Sequence, residues 1–341
     1  MSETNRQWIL RARPQGHMRI EDFELKNVPA PTGEVGAGEI RIRNVAFLCA
    51  PTMRNWMDPP GNSFYPSVPL GEVMLAPAVA RVVASGDPTY PVGTRVYTIS
   101  SWQDYATIPT GAGLPLHALP EGLSFLEGIG RYGLNPLTAY FGLLDVGQPQ
   151  AGETLVVSGA AGSTGSTAAQ IGKIKGLRVI GIAGGAAKCA WLREECGLDA
   201  AVDYKAEPVE ERLAGLCPDG IDVFYDNVGG EILQAAVNNM APFGRIVLCG
   251  MMTKVNETEP LPGPRNLDHA HRKRLTLKGF NVVDHLHRLP EFHTDMGKWI
   301  ADGHIKWQET IAEGIENAPQ AFIGLFKGEN FGKMIVKIGD V

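Results

Sequence analysis

A chain of 341 residues exceeds the ~250–300 residues at which a single hydrophobic core stops growing, so two substantial domains are expected. Apolar residues make up 44% and charged residues 20%, as in an ordinary globular protein, and the net charge of −6 gives no basic footprint for nucleic acid. The five cysteines (Cys49, Cys189, Cys196, Cys217, Cys249) are odd in number and contain no C-x-x-C pair, which argues against a disulfide framework or a Cys-rich zinc lobe and fits reduced thiols in a cytoplasmic protein.

In chain order, residues 1–8 are polar and lack the apolar stretch of a signal peptide, and no run approaches ~18 consecutive apolar residues, so no membrane partner is expected. Residues 1–125 alternate apolar and polar positions in short runs at 39–45, 78–83, 94–99 and 104–108, punctuated by Gly and Pro at 58–61 and 90–93. That pattern predicts an all-β, loop-rich module, closed as a partly open barrel.

From about Gly133 the rhythm changes to buried-type strands at 154–158, 178–183, 200–204, 221–226, 245–249 and 276–280. Helical segments at 163–175, 186–196, 207–216 and 231–240 lie between them, the second stopped by Gly197. Strands alternating with helices specify an α/β domain with a doubly wound parallel sheet, whose ligand site sits beyond the carboxyl ends of the strands. The tail from about Ile305 holds one helix, 316–326, and a last strand, 333–338, too little to form a core alone. The expected domains are therefore 1–125, completed by 305–341, and 126–304.

The first strand of the sheet runs into residues 159–165 (GAAGSTG) and then a helix, the setting in which a glycine fingerprint has meaning. Ala160, Gly162 and Gly165 fall on the three G-x-G-x-x-G positions. Gly162 lets the backbone approach a pyrophosphate, Gly165 permits close helix–strand contact, and the helix start with Ser163 and Thr164 offers unpaired N–H groups and a positive dipole end. An enzyme selective for NAD carries Asp or Glu about 20 residues beyond the glycines to hold the ribose hydroxyl. Here the second strand ends in residues 183–187 (AGGAA) followed by Lys188. Small residues at Gly184 and its neighbours leave room for a phosphate, Lys188 supplies a cation, and NADPH is the expected coenzyme.

With these residues in view, the chain resembles the medium-chain dehydrogenase/reductase superfamily, and more narrowly its zinc-free branch of double-bond reductases. The resemblance spans nearly the whole chain and includes residues 69–74 (PLGEVM), 92–96 (VGTRV), 102–106 (WQDYA), 137–144 (LTAYFGLL), 183–188 (AGGAAK), 225–230 (YDNVGG) and 328–337 (GENFGKMIVK). It implies a Rossmann domain joined to a GroES-like β-rich catalytic domain. It also implies that Lys188 and Tyr204 hold the 2′-phosphate, that Asn227, Cys249 and Gly250 line the ribose and nicotinamide, and that Thr138, Phe280, Val282 and Asn330 complete the cleft. Bland alternatives stand beside these roles: Thr138 as a helix N-cap, Asn227 as a turn former and Phe280 as ordinary core. A homodimer formed through the strand 276–280 is a further implication.

Two departures bear on mechanism. The branch's Asp-Pro-Tyr-Met-Arg segment reads Ala-Pro-Thr-Met-Arg at 50–54, so Thr52 replaces a pocket tyrosine, and Val255 stands where relatives carry another. Proton delivery then falls to water or the ribose hydroxyl, or Tyr65 or Thr52 orients the substrate carbonyl. Met53, Trp56 and Met252, with Met57, Phe64 and Met251, would shape an apolar substrate pocket, or else belong to the core. Residues 69–73 lack the histidine of zinc-dependent relatives, and the pairs His269/His271 and His285/His287 lack matching Cys or carboxylate ligands, so no metal is expected.

The expected activity is hydride transfer from NADPH to the β-carbon of an α,β-unsaturated ketone or aldehyde, followed by protonation of the enolate. A quinone or carbonyl reductase on the same scaffold is the rival enzyme. A non-catalytic NADPH-binding protein is the rival from another class.

Overall fold

The computed structural model describes residues 3–61, 67–111, 115–259 and 262–339. The chain begins with β1 (Thr4–Leu10) and β2 (Phe23–Pro29), paired antiparallel, followed by β3 (Glu39–Cys49), β4 (Leu75–Ser85), β5 (Arg95–Ser101), β6 (Tyr105–Pro109), β7 (His117–Ala118) and α1 (Phe125–Gly130). Next come α2 (Leu134–Phe141), a π-helical turn (Gly142–Gly147), β8 (Thr154–Ser158), α3 (Ser163–Ile174), β9 (Arg178–Ala183), α4 (Ala186–Glu194), β10 (Ala200–Asp203) and α5 (Val209–Leu216). The series continues with β11 (Ile221–Asp226), α6 (Gly230–Asn239), β12 (Met240–Leu248), α7 (Asp268–Lys273), β13 (Thr276–Gly279) and α8 (Leu289–Ala301), and ends with β14 (Glu309–Glu313), α9 (Ala318–Lys327) and β15 (Lys333–Lys337).

Two compact units result, one comprising 1–133 with 309–341 and the other 134–308. The first is β-rich. Its larger sheet has the order β14-β15-β3-β4-β5-β7, with β6 also paired to β3. The expected alternation is visible in the core cluster Ile40, Ile42, Ala80, Val82, Val96, Ala106 and Ile108, while irregular register at Arg41/Ile42 and Asn44/Ala46 bends β3. The tail joins this unit by β15 pairing antiparallel to β3, and Trp102 stacks on Phe23 and Phe47 with Phe322 of α9 at its edge.

The second unit is the expected doubly wound domain. Its six strands are all parallel in the order β10-β9-β8-β11-β12-β13. Residues 155–157, 179–180 and 223–225 are wholly buried, because helices cover both faces of such a sheet and the strands must be apolar on both sides. The strand order reverses between β8 and β11, which opens a crevice at their carboxyl ends. β12 starts earlier than the sequence pattern suggests, since a register irregularity beside Phe243, at φ 64°, interrupts its alternation. Among the described residues no helix is long and apolar enough to cross a membrane.

Candidate dinucleotide site

The crevice is built from backbone first. β8 ends at Ser158, the chain turns through 159–162, and α3 begins at Ser163 with Gly162 as its N-cap in an extended conformation. A methyl group on Gly165 would lie 2.3 Å from the Gly159 carbonyl oxygen and 2.9 Å from Ala160 Cα, so only glycine lets α3 approach the end of β8 this closely. Ala160 in place of the first glycine is tolerated because it is fully buried and its N–H donates to the Ile182 carbonyl at 2.9 Å. The Ser163 hydroxyl is buried at the first turn of α3 and has no hydrogen-bond partner among the described residues, and Thr164 accepts from Asn135 at 3.0 Å. A buried hydroxyl without a partner beside free helix N–H groups is chemically matched to a pyrophosphate oxygen.

β8 and β11 are tied together at their ends. Asp226, fully buried, accepts from the Ser158 hydroxyl at 2.8 Å and from the N–H groups of Val228 and Gly229. Asn227 donates through Nδ2 to the Ser158 carbonyl at 2.7 Å, so its side chain ties the turn after β11 to the end of β8. The loop after β12 packs on this turn: Cys249 and Gly250 donate their N–H groups to the Asp226 carbonyl, and a methyl on Gly250 would meet the Asn227 carbonyl oxygen at 3.0 Å. Met252 and Val255 follow in this loop and are half-buried.

At the end of β9, Asp203 accepts from the N–H of Gly185 at 2.8 Å and of Lys205 at 3.1 Å, which pins the β9–α4 turn to the end of β10. Tyr204 and Lys205 thereby cover Gly184, whose added methyl would touch Tyr204 Cε1 at 2.8 Å and Lys205 Cε at 3.0 Å. Burial, and then the neighbouring Lys205 ammonium, hold Lys188 below the ordinary lysine pKa. Two cations therefore stand within electrostatic reach of each other, one of them packed with the exposed Tyr204 ring over Gly184, where a ribose-binding carboxylate would otherwise stand. Lys205 was not singled out in the sequence, although it directly follows Tyr204; its role depends on the turn beyond β10, which strand patterning does not specify.

On the other side of the crevice, the Thr138 hydroxyl donates to the Leu134 carbonyl at 2.7 Å inside α2, so Thr138 is not an N-cap. Cys249 is half-buried, and burial raises its thiol pKa to about 12. Phe280 follows β13, and Val282 opens the 3-10 turn after it.

The remaining candidates lie in the β-rich unit. Thr52 is exposed in the turn Pro51–Met57, Met53 is fully buried with its sulfur accepting from the Ala50 N–H at 3.3 Å, and Trp56 is 6% exposed. Asn330 donates to the Gly332 carbonyl at 2.7 Å. Tyr65 and Phe64 lie outside the described residues. Cys49 is buried, with its pKa raised to about 12 by burial, and the residue in the place of the zinc-binding histidine is the exposed Gly71, which has no side chain to offer a metal. No group of three or more metal-ligating side chains occurs among the described residues.

The chain is similar to known oxidoreductases over nearly its whole length. The family model for the N-terminal domain of oxidoreductases matches residues 6–115, and that for zinc-binding dehydrogenases matches residues 163–301. The chain is 43% identical to an NADPH-dependent curcumin reductase of Escherichia coli K12, covering 98% of this chain and 97% of that protein. It is 40% identical to prostaglandin reductase 1 of Bos taurus, over 97% of this chain and 98% of that protein. The solved structure of CurA from Vibrio vulnificus in complex with NADPH superposes with a TM-score of 0.91 at 39% identity, covering 98% of this chain and all of that one, 100%.

Proposed function

The chain belongs to the double-bond reductase branch of the medium-chain dehydrogenase/reductase family, and on that footing we propose that it uses NADPH to reduce the C=C bond of α,β-unsaturated ketones or aldehydes. The observation that carries the reading is Lys205 and Tyr204 packed over Gly184, with Lys205 within electrostatic reach of Lys188, beside an anion-ready helix start. Relatives named as reductases of curcumin, prostaglandins and 2-alkenals support the substrate class.

When bound, NADPH supplies the hydride, which goes to the β-carbon. Lys188 and Lys205 hold the 2′-phosphate by charge, and Tyr204 holds it through its hydroxyl donor. The N–H groups at 162–165 and the Ser163 hydroxyl hold the pyrophosphate. Asn227, Cys249, Gly250, Thr138, Phe280 and Val282 line the ribose and nicotinamide end, and Asn330 is a further proposed coenzyme contact. Thr52 and Tyr65 are the donors proposed to orient the substrate carbonyl and meet the charge that develops on its oxygen; water or the ribose hydroxyl delivers the proton if they do not. Met252 and Val255, half-buried in the loop after β12, are the proposed apolar wall, whereas Met53 and Trp56, at 0% and 6% exposure, belong to the core of the β-rich unit. Because a tyrosine is replaced at both Thr52 and Val255, the reading favours substrates whose enolate needs little help from a phenol.

Edge strand β13, with Thr276 and Lys278 exposed, is the proposed homodimer contact, and sedimentation at micromolar concentration checks it. A cytoplasmic setting fits the reduced thiols. The functional test is NADPH oxidation with an enone, a quinone and a saturated aldehyde. Turnover confined to the enone is expected; turnover of only the quinone or aldehyde, or tight NADPH binding with no turnover, overturns the reading.

A further inference from the structure

Tyr225 is fully buried in β11, yet its hydroxyl has a built socket. It lies 3.1 Å from the Thr138 carbonyl oxygen and 3.3 Å from Cys249 Sγ. The third wall is Gly142, where a methyl group would come 2.6 Å from the Tyr225 hydroxyl and 2.5 Å from Phe280 Cζ. Gly142 opens the π-helical turn that interrupts the run from α2, a feature found frequently at functional sites. A phenylalanine would fill the apolar space equally well, so the hydroxyl and the missing side chain at Gly142 call for a common reason.

The chemistry fixes the polarity of the bonds. A carbonyl can only accept, and a phenol has one proton, so Tyr225 donates to Thr138 and the Cys249 thiol donates to the phenol oxygen. Burial supports this order by holding both the thiol and the phenol in their protonated forms. The result is a relay from the end of β12, through β11, to the backbone of α2. Both of its ends, Cys249 and Thr138, belong to the proposed nicotinamide end of the site.

We propose that Tyr225 is a positioning residue of the coenzyme site, whose hydroxyl joins the Cys249 thiol to the Thr138 carbonyl and so fixes both walls at the nicotinamide end. Neither Tyr225 nor Gly142 touches substrate; both act through their neighbours. The inference rests on the NADPH reading given above.

The test uses the full chain and two readouts. The S–H stretching band of Cys249 is isolated as the infrared difference between wild type and Cys249→Ser, and NADPH affinity is measured by calorimetry. In Tyr225→Phe the band should move to higher frequency as the thiol loses its acceptor, and the dissociation constant should rise about fivefold. An unmoved band overturns the relay, and unchanged affinity overturns the positioning role. Should Tyr225→Phe fail to fold, Cys249→Ser, which can still donate, should bind NADPH several-fold more tightly than Cys249→Val; equal affinities overturn the proposal. Wild-type protein that bound no NADPH would sink the coenzyme reading itself. That failure is told apart because the infrared band reports on the thiol without ligand.

Discussion

Lys205 packs over Gly184 at the end of β9, and its ammonium lies within electrostatic reach of Lys188, adding to burial in depressing the Lys188 pKa. Like charges within reach of each other cost free energy that an anion between them returns. Lys188→Ala should therefore raise the Michaelis constant for NADPH by about tenfold, roughly the strength of one charge-assisted contact, and leave that for NADH within about twofold. Lys205→Ala should act in the same direction. Steady-state kinetics with both coenzymes checks this, and an equal effect on NADPH and NADH removes the phosphate role.

The same pair sets a pH dependence. Only the protonated amine attracts the phosphate, and its pKa lies below that of an ordinary lysine. The preference for NADPH over NADH should thus be full at neutral pH and decline as pH rises through the depressed pKa, earlier than for a solvated lysine. The ratio of the two coenzyme affinities against pH measures it, and a ratio flat up to the ordinary lysine range contradicts it.

Close approach at two glycines gives a stability prediction. A methyl at Gly165 meets the Gly159 carbonyl oxygen at 2.3 Å, a backbone atom that cannot rotate away, whereas one at Gly142 meets the Phe280 ring at 2.5 Å and the Tyr225 hydroxyl at 2.6 Å. Each substitution to alanine should cost about 1–3 kcal/mol and weaken NADPH binding, with Gly165→Ala the more severe. Denaturant unfolding with and without coenzyme checks the order.

The five thiols are predicted to be silent in the native state. Burial raises all of them, with Cys49, Cys196 and Cys249 reaching about 12. A thiol-disulfide reagent at pH 8 should find almost none in the folded protein and five after denaturation. Since these pKa values lie above the unfolded value of about 8.5, the stability they contribute is complete below that pH. It is lost as pH climbs toward about 12, so alkaline unfolding should set in above about pH 8.5.

Much of the α/β unit was legible because a sheet covered on both faces demands unbroken apolar strands. The runs at 154–158, 178–183 and 221–226 match β8, β9 and β11 residue for residue. The hairpin of β1 and β2 was not read, since exposed polar side chains on β2 hide its alternation. α8 was missed because Pro290, which reads as a breaker, sits harmlessly in the first helical turn. In the site, the glycine fingerprint and Lys188 stood out by type and spacing. Lys205, Gly142 and Tyr225 did not, because their contacts join segments remote in sequence: the end of β10 over the end of β9, and α2 against β11 and β12.

The most direct measurement follows one deuterium. With NADPH labelled at the transferable position of the nicotinamide and an α,β-unsaturated ketone as acceptor, mass spectrometry and NMR should find the saturated ketone with the label on its β-carbon. A labelled carbonyl carbon in an allylic alcohol, or no product while the coenzyme binds, would contradict a double-bond reductase.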